Sequence, residues 1–416
     1  MKKLIYTTVV ALLPVAGLYA QVLSLDEVTA TIRQANPVVK MYENEIRSMD
    51  EAAKGARSWM PPQVGFGQFM TPYNTSLWKK DGEMTGMGSV MFSAEQMIPN
   101  KRKLDADEAY MQAMSSTEKQ RREATLNELL NDGKLLYYEW VILEKKLAVL
   151  KENEQILDFM IRNAELRYKN RMEKLNAFYK AKAALGEVQS MQLMVGADIH
   201  EKQIRLNALM GRNAMIHFSI DTFISWNDYD LLVFDSSLFY QTRSDLKAID
   251  SDILLTQLKQ ETERQSLRPQ FGVRYDHMIG FGGQPMQYTI MGMVKLPMVR
   301  WSSKMNKANV ESLQWKAQAL QAQKEMMVNE MSGMAYGMRN ELELKRRQLK
   351  LYEQTIIPAL RNNFKTMQLA YEQNTEELFM LYDAWEALNM KQAEYLDLML
   401  RALQIQVTID RLIEKS

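Results

Sequence analysis

From residue 101 to residue 166 the chain contains no proline and one glycine, Gly133. A segment so free of breakers predicts a single helix of roughly 100 Å, at about 1.5 Å per residue. Such a helix cannot wrap a globular core and must pack lengthwise against others, as in coiled coils. Within it, "AVLKENEQILDFMIRNAELRY" spaces Leu150, Ile156, Met160, Ile161 and Leu166 unevenly. That makes an apolar face broad enough for neighbours on two sides.

The plan around this helix occurs twice. "PPQVGFGQFM" from Pro61 and "RPQFGVRYDHM" from Arg268 align with an offset of 207, which also matches Lys40 with Lys247 and Ile46 with Ile253. Further on, residues 164–185 match 368–388 with an offset of 203. There Tyr168 falls on Tyr371, Glu173 on Glu376, Leu175 on Leu378, Tyr179 on Tyr382 and Leu185 on Leu388. An internal duplication fixes the architecture before any motif does. Each copy reads helix, strand, loop, strand, very long helix, turn, helix. In the first copy a helix over 25–58, capped by Ser24, leads to strands near 62–71 and 86–97, then to helices 101–166 and 174–210. In the second, a helix over 242–266 leads to strands 269–278 and 287–297 around "GFGGQP", then to helices 302–370 and 376–413, with Pro358 kinking the former. The domain expectation is a first repeat over 21–210 (hairpin 62–97), an aromatic linker over 211–236 and a second repeat over 237–416 (hairpin 269–297).

Composition removes several function classes. There is no cysteine, which excludes disulfides, thiol chemistry and Cys-ligated zinc. Three scattered histidines make a His-built metal site a poor reading, and a net charge of +1 gives no footprint for nucleic acid. "HEKQI" at His200 lacks the second histidine of a zinc protease, and "GFGGQP" joins strands instead of opening a helix, so neither carries its motif's chemistry. No enzyme and no cofactor are expected. Residues 1–20 read as an export signal: Lys2 and Lys3, the apolar "LIYTTVVALLPVAGL", then small Ala20 before Gln21.

The strands alternate. Phe271, Val273, Tyr275 and His277 fall on one face and Gln270, Gly272, Arg274 and Asp276 on the other. Tyr288, Ile290, Val294 and Leu296 oppose Thr289, Met291, Met293 and Lys295, and Val90, Phe92 and Ala94 oppose Ser89, Met91, Ser93 and Glu95. One apolar and one polar face suits a transmembrane barrel strand. It also suits a half-exposed sheet on a soluble protein, and the export signal favours the barrel. Four strands cannot close a barrel, and an open edge in lipid leaves backbone groups unsatisfied, so several chains must share one.

Several segments together resemble the TolC-like outer-membrane factor family. They are "LSLDEVTATIRQANPVV", "PPQVGFG" and "RPQFGV" entering the hairpins, "QMIPNKRK" and "KLPMVRWSSK" leaving them, "LNALMGR" ending the first copy, and "AYEQNTEELFMLYDAWEAL" at the second helical turn. The resemblance covers nearly the whole chain after the signal. It implies a mainly α fold with a small β part: a long helical coiled-coil tunnel in the periplasm and four strands per chain in a 12-stranded outer-membrane barrel shared by a homotrimer. It also implies an equatorial domain built from the linker and C-terminus, and as partners a periplasmic adaptor and an inner-membrane resistance-nodulation-division pump. Two departures stand out. Gln21 occupies the place where many relatives carry a lipidated cysteine, and "YKNRMEK" lacks the glycine often found at the first helical turn.

The expected function is therefore an exit duct for efflux across the outer membrane. Two groups of residues are its candidate sites. The helical turns carry Tyr168, Lys169, Arg171 and Lys174 on one side and Tyr371, Glu372, Glu376 and Glu377 on the other, a basic and an acidic set that would hold a gate closed and face the adaptor. The second group is Met91, Met291 and Met293 on the polar strand face. Methionine is the compositional outlier at 32 residues, and soft thioethers suit Cu(I) and Ag(I), cargoes of one branch of the family. Helix packing accounts for a stripe such as Met327, Met331, Met334 and Met338. Drug, bile-salt or protein secretion are the alternative cargoes. A periplasmic or surface coiled-coil structural protein is the alternative of another class.

Overall fold

The computed structural model describes residues 22–171 and 175–415. The expected signal, Glu173 and Lys174 lie outside the described residues. The chain runs β1 (Val22–Leu23), α1 (Leu25–Ala35), α2 (Pro37–Lys54), β2 (Gln63–Phe69), β3 (Ser89–Ile98), α3 (Lys101–Lys169), α4 (Leu175–Leu209), β4 (Ser219–Ile220), α5 (Ser236–Thr242), α6 (Ser244–Gln265), β5 (Gln270–Gly280), β6 (Gln287–Lys295), α7 (Lys304–Leu351), α8 (Ile357–Glu372) and α9 (Leu378–Leu412). It is mainly α with a small β part, as expected, and the helix free of breakers is α3.

Local chemistry sets the element ends. Ser24 and Glu27 form a capping box: Ser24 Oγ accepts from the Glu27 N–H at 3.3 Å, and Glu27 Oε2 accepts from the Ser24 N–H at 2.8 Å. The first helix is not continuous over 25–58. It breaks at Asn36, which is extended (φ −60°, ψ 130°) because the Pro37 ring disfavours helical backbone in the residue before it. The second copy breaks at Arg243 (φ −76°, ψ 118°), where the offset places the equivalent of Asn36, although no proline follows. The break therefore belongs to the repeated plan. Each break residue is buried and reaches the end of its own copy: Asn36 Nδ2 donates to the Leu209 carbonyl at 2.8 Å and Arg243 Nη1 to the Arg411 carbonyl at 2.9 Å. Ahead of Pro358 the helix takes one π-helical turn, Tyr352–Ile356, which absorbs the missing N–H.

Packing divides the chain into two compact units, and each draws on both copies. One contains the described residues to Asn36 with Leu129–Asp228 and Glu341–Val407. Its core joins Leu150, Leu157, Met160 and Ala164 of α3 and Ala181, Ala184 and Val188 of α4 to Tyr371 of α8 and to Leu378, Leu381 and Trp385 of α9. A buried polar relay crosses it: Trp385 Nε1 donates to Asn153 Oδ1 at 2.9 Å, and Asn153 Nδ2 to Asn389 Oδ1 at 2.7 Å. The single glycine of α3 has a packing reason, since a Cβ on Gly133 would meet Ile32 Cδ1 of α1 at 2.5 Å.

The other unit contains Pro37–Glu128, Tyr229–Asn340 and Thr408–Ser416. Its sheet has the order β2-β3-β5-β6, antiparallel throughout, so β3 and β5 join the two hairpins into one sheet. The loops between strands also interlock. Trp78 stacks on Phe281 with ring centres 5.2 Å apart, and the Gly86 N–H donates to the Gly282 carbonyl at 3.0 Å. A Cβ on Gly86 would lie 2.2 Å from the Trp78 carbonyl oxygen, so this crossing needs glycine.

Candidate functional site: a two-faced sheet and two helical turns

The strand register sorts every sheet residue onto one of two faces. Directly paired residues share a face. Val64, Phe66, Val90, Phe92, Ala94, Ile98, Phe271, Val273, Tyr275, Ile279, Tyr288, Ile290 and Val294 fall together, joined by His277, Gln68 and Gln96. The aromatic and aliphatic members of this face are broadly exposed: Val64 at 82%, Phe66 at 73%, Ile290 at 67%. A contiguous exposed apolar surface of this kind marks a site of contact with protein, membrane or ligand. The opposite face carries Ser89, Ser93, Glu95, Arg274, Asp276, Thr289 and Lys295. There Arg274 Nε pairs with the buried Asp276 carboxylate at 2.9 Å. Met91, Met291 and Met293 lie on this polar face, and the register adds Met97 and Met278 to them.

The two helices end alike. After α8, Asn374 is left-handed at φ 58°, its N–H donates to the Tyr371 carbonyl, and the Thr375 N–H returns to Ala370. This is a Schellman end. After α3 the left-handed residue is Arg171 at φ 60°, the position that the 203 offset aligns with Asn374. Arginine thus stands where glycine is favoured. Arg171→Gly is expected to raise stability by about 1 kcal/mol, the cost a Cβ incurs in this conformation. A higher thermal midpoint of the purified protein checks it.

The candidate gate residues divide by burial. Lys169, Arg171, Glu372, Glu376 and Glu377 are exposed, and Lys169 pairs with Glu165 on its own helix at 2.8 Å. Among the described residues no ion pair joins the basic turn to the acidic one within the chain. The link found instead uses Arg167, which the sequence reading passed over. Its guanidinium lies 3.8 Å from the centre of the Tyr371 ring, and Nη2 donates to the Tyr371 carbonyl, tying the end of α3 to the end of α8.

A second group that sequence reasoning missed holds the linker. Gln203 and Gln406 are equivalent across the 203 offset, and both are buried. Gln203 Nε2 donates to the Phe218 carbonyl at 3.0 Å; Gln406 Nε2 donates to the Ser225 carbonyl and its Oε1 accepts from the Asn227 N–H, both at 3.0 Å. Asn207 adds bonds from Nδ2 to the Ala214 and Ile216 carbonyls. The signal was available as glutamine and asparagine on otherwise apolar helix faces, which burial forces into hydrogen bonds.

Among the described residues no helix is long and apolar enough to cross a membrane, and no three His, Cys, Asp or Glu side chains are grouped to hold a metal ion. Comparison with known proteins identifies the fold. The fold matches the outer-membrane channel OprN (TM-score 0.76, 11% identity, 94% of this chain and 90% of that one). It also matches CusC, studied for transmembrane channel formation (0.74, 11%, 97% and 95%), and the outer membrane protein VceC of Vibrio cholerae (0.72, 14%, 94% and 95%). No curated protein sequence matches. The fold is therefore the one these outer-membrane channels share. Residues 28–212, covering most of the first repeat, match the outer membrane efflux protein family, and the fold of these channels extends along nearly the whole chain.

Proposed function

We propose that three copies of this chain form the exit duct of a tripartite efflux system, with the sheets closing a 12-stranded barrel in the outer membrane and the helical part in the periplasm. The observation that carries this reading is the sheet itself: four strands, one apolar exposed face, and outer edges on β2 and β6 with no partner strand among the described residues. In lipid such edges need partners, and β6 of one copy beside β2 of the next supplies them. The helical unit supports the same closure. Tyr371, Leu378 and Tyr382 are exposed by only 1%, 1% and 9%, whereas their equivalents Tyr168, Leu175 and Tyr179 are exposed by 46%, 39% and 59%. The repeated plan covers this face in the second copy and leaves it open in the first, as expected if a neighbouring chain covers it.

The polar face then lines the duct. The helical turns form its gate and meet the adaptor, which links them to an inner-membrane resistance-nodulation-division pump. Drugs, bile salts and secreted peptides are competing cargoes. The methionines of the polar face, Met91, Met291 and Met293 with Met97 and Met278, favour soft metal ions.

The absence of native cysteine allows a clean test of closure. One cysteine at Gly67 on β2 and one at Thr289 on β6, both on the polar face, are expected to give disulfide-linked dimers and trimers from outer membranes. Neighbouring pairs along the two edges locate the register. A ladder absent for every pair, with a water-soluble monomer, would overturn the duct and leave a coiled-coil structural protein.

A further inference from the structure

The rows of the polar face hold an arrangement that alternation alone does not show. Across β3, β5 and β6 one row reads Met97, Gly272, Met293: a glycine flanked on both neighbouring strands by methionine. A Cβ built on Gly272 would lie 2.4 Å from Met97 Sδ and 3.2 Å from Met293 Cε. Two unbranched thioether side chains thus converge, from opposite sides, over the space the missing side chain leaves. The Gln96 carbonyl oxygen is the next atom, at 3.3 Å. The nearest cationic group along β5, Arg274, is neutralised by Asp276.

Gap filling explains one methionine, and a leucine would fill the gap as well. It does not require a thioether side chain from each neighbouring strand, one presenting Sδ and the other its terminal methyl, on a face otherwise rich in polar groups. We propose that Met97 and Met293 form a two-thioether clip for a soft monovalent cation, Ag(I) or Cu(I), with Gly272 leaving the room both side chains need to meet over β5. Thioethers are soft ligands that bind without losing a proton, so the clip needs no deprotonation step. Binding needs only this sheet. The clip's position inside a duct, and with it any part in passing cargo, rests on the proposed function.

The test is calorimetric titration of silver nitrate, in chloride-free buffer, into the detergent-solubilised protein and its variants, with the native mass of each sample measured alongside. The other methionines contribute weaker sites, so the tightest site is the one compared. Met97→Leu and Met293→Leu keep volume and remove one sulfur each. Gly272→Ala keeps both sulfurs and fills the gap. All three are expected to weaken the tightest site by at least about tenfold, a loss that even changes outside the ligand set cause. Unchanged isotherms in the two leucine variants overturn the clip even where Gly272→Ala fails to assemble, and an unchanged isotherm in a folded Gly272→Ala variant overturns the role of the gap. A trimer whose silver binding ignores the substitutions retires the clip and leaves the duct. A protein that is not a trimer but loses silver with them retires the duct and leaves the clip.

Discussion

In the proposed trimeric barrel, arginine in place of Ile290 is expected to abolish assembly in the outer membrane, while arginine at the adjacent Thr289 leaves the yield normal. The two residues are neighbours on β6, and only the face differs. Ile290 pairs with Tyr275 on the exposed apolar face; Thr289 pairs with Asp276 on the polar face. A cationic side chain on the lipid face near the middle of the bilayer costs about 2–4 kcal/mol, and a trimer incurs that cost three times. The same side chain on a water-filled lining costs little. Heat-labile trimer recovered from outer-membrane fractions reads the outcome. Equal tolerance of both changes would mean that the apolar face meets water or protein, and the barrel would fall.

In the proposed duct, with the helical turns as its gate, Arg167→Ala is expected to raise the time-averaged conductance of the reconstituted protein strongly, with Arg167→Lys intermediate. Arg167 lies over the Tyr371 ring and bonds its carbonyl, so one side chain closes the ends of α3 and α8 on each other. A cation–π contact with a charge-assisted hydrogen bond in a half-buried setting is worth about 1 kcal/mol or more. Three such clamps in one gate would move the closed-to-open ratio by roughly two orders of magnitude. Lysine keeps the charge but lacks the planar fork, hence the intermediate value. Unchanged single-channel conductance and open probability in planar bilayers would make the contact a packing feature. Raised salt is expected to open the wild-type gate only weakly through this clamp, because contacts shielded from water are screened less than exposed pairs.

Much of the molecule was legible because its signals are periodic and local. The long helices follow from the absence of breakers, the strand faces from two-residue alternation, and the repeat from matching turns and hairpin entries. These patterns survive at the low identity that separates this chain from the channels it resembles in fold. The features that were not legible depend on partners far along the chain. The helix break at Asn36 has a local cause in Pro37, yet the break at Arg243 has none, and its reason is the carbonyl of Arg411 that its side chain reaches. Arg167 looks like any charged residue near a helix end until α8 brings Tyr371 beneath it. Gln203 and Gln406 interrupt apolar helix faces in the sequence, but which carbonyls they bond is set only when the linker lies across them.

The sequence by itself determined the duplicated plan, the two faces of each strand and the need for lengthwise helix packing, since each follows from which side chains recur at 2 or 3.6 residues. Only the tertiary structure decided which equivalent faces are covered and which stay open. Tyr371 and Tyr168 occupy the same place in the repeat, and one is buried while the other is exposed. The same holds for the row that sets Met97 and Met293 around Gly272, because cross-strand register is fixed by pairing between strands more than 170 residues apart. Burial and register are properties of what packs against a residue, and a one-dimensional pattern specifies the face a side chain takes but not the neighbour it meets.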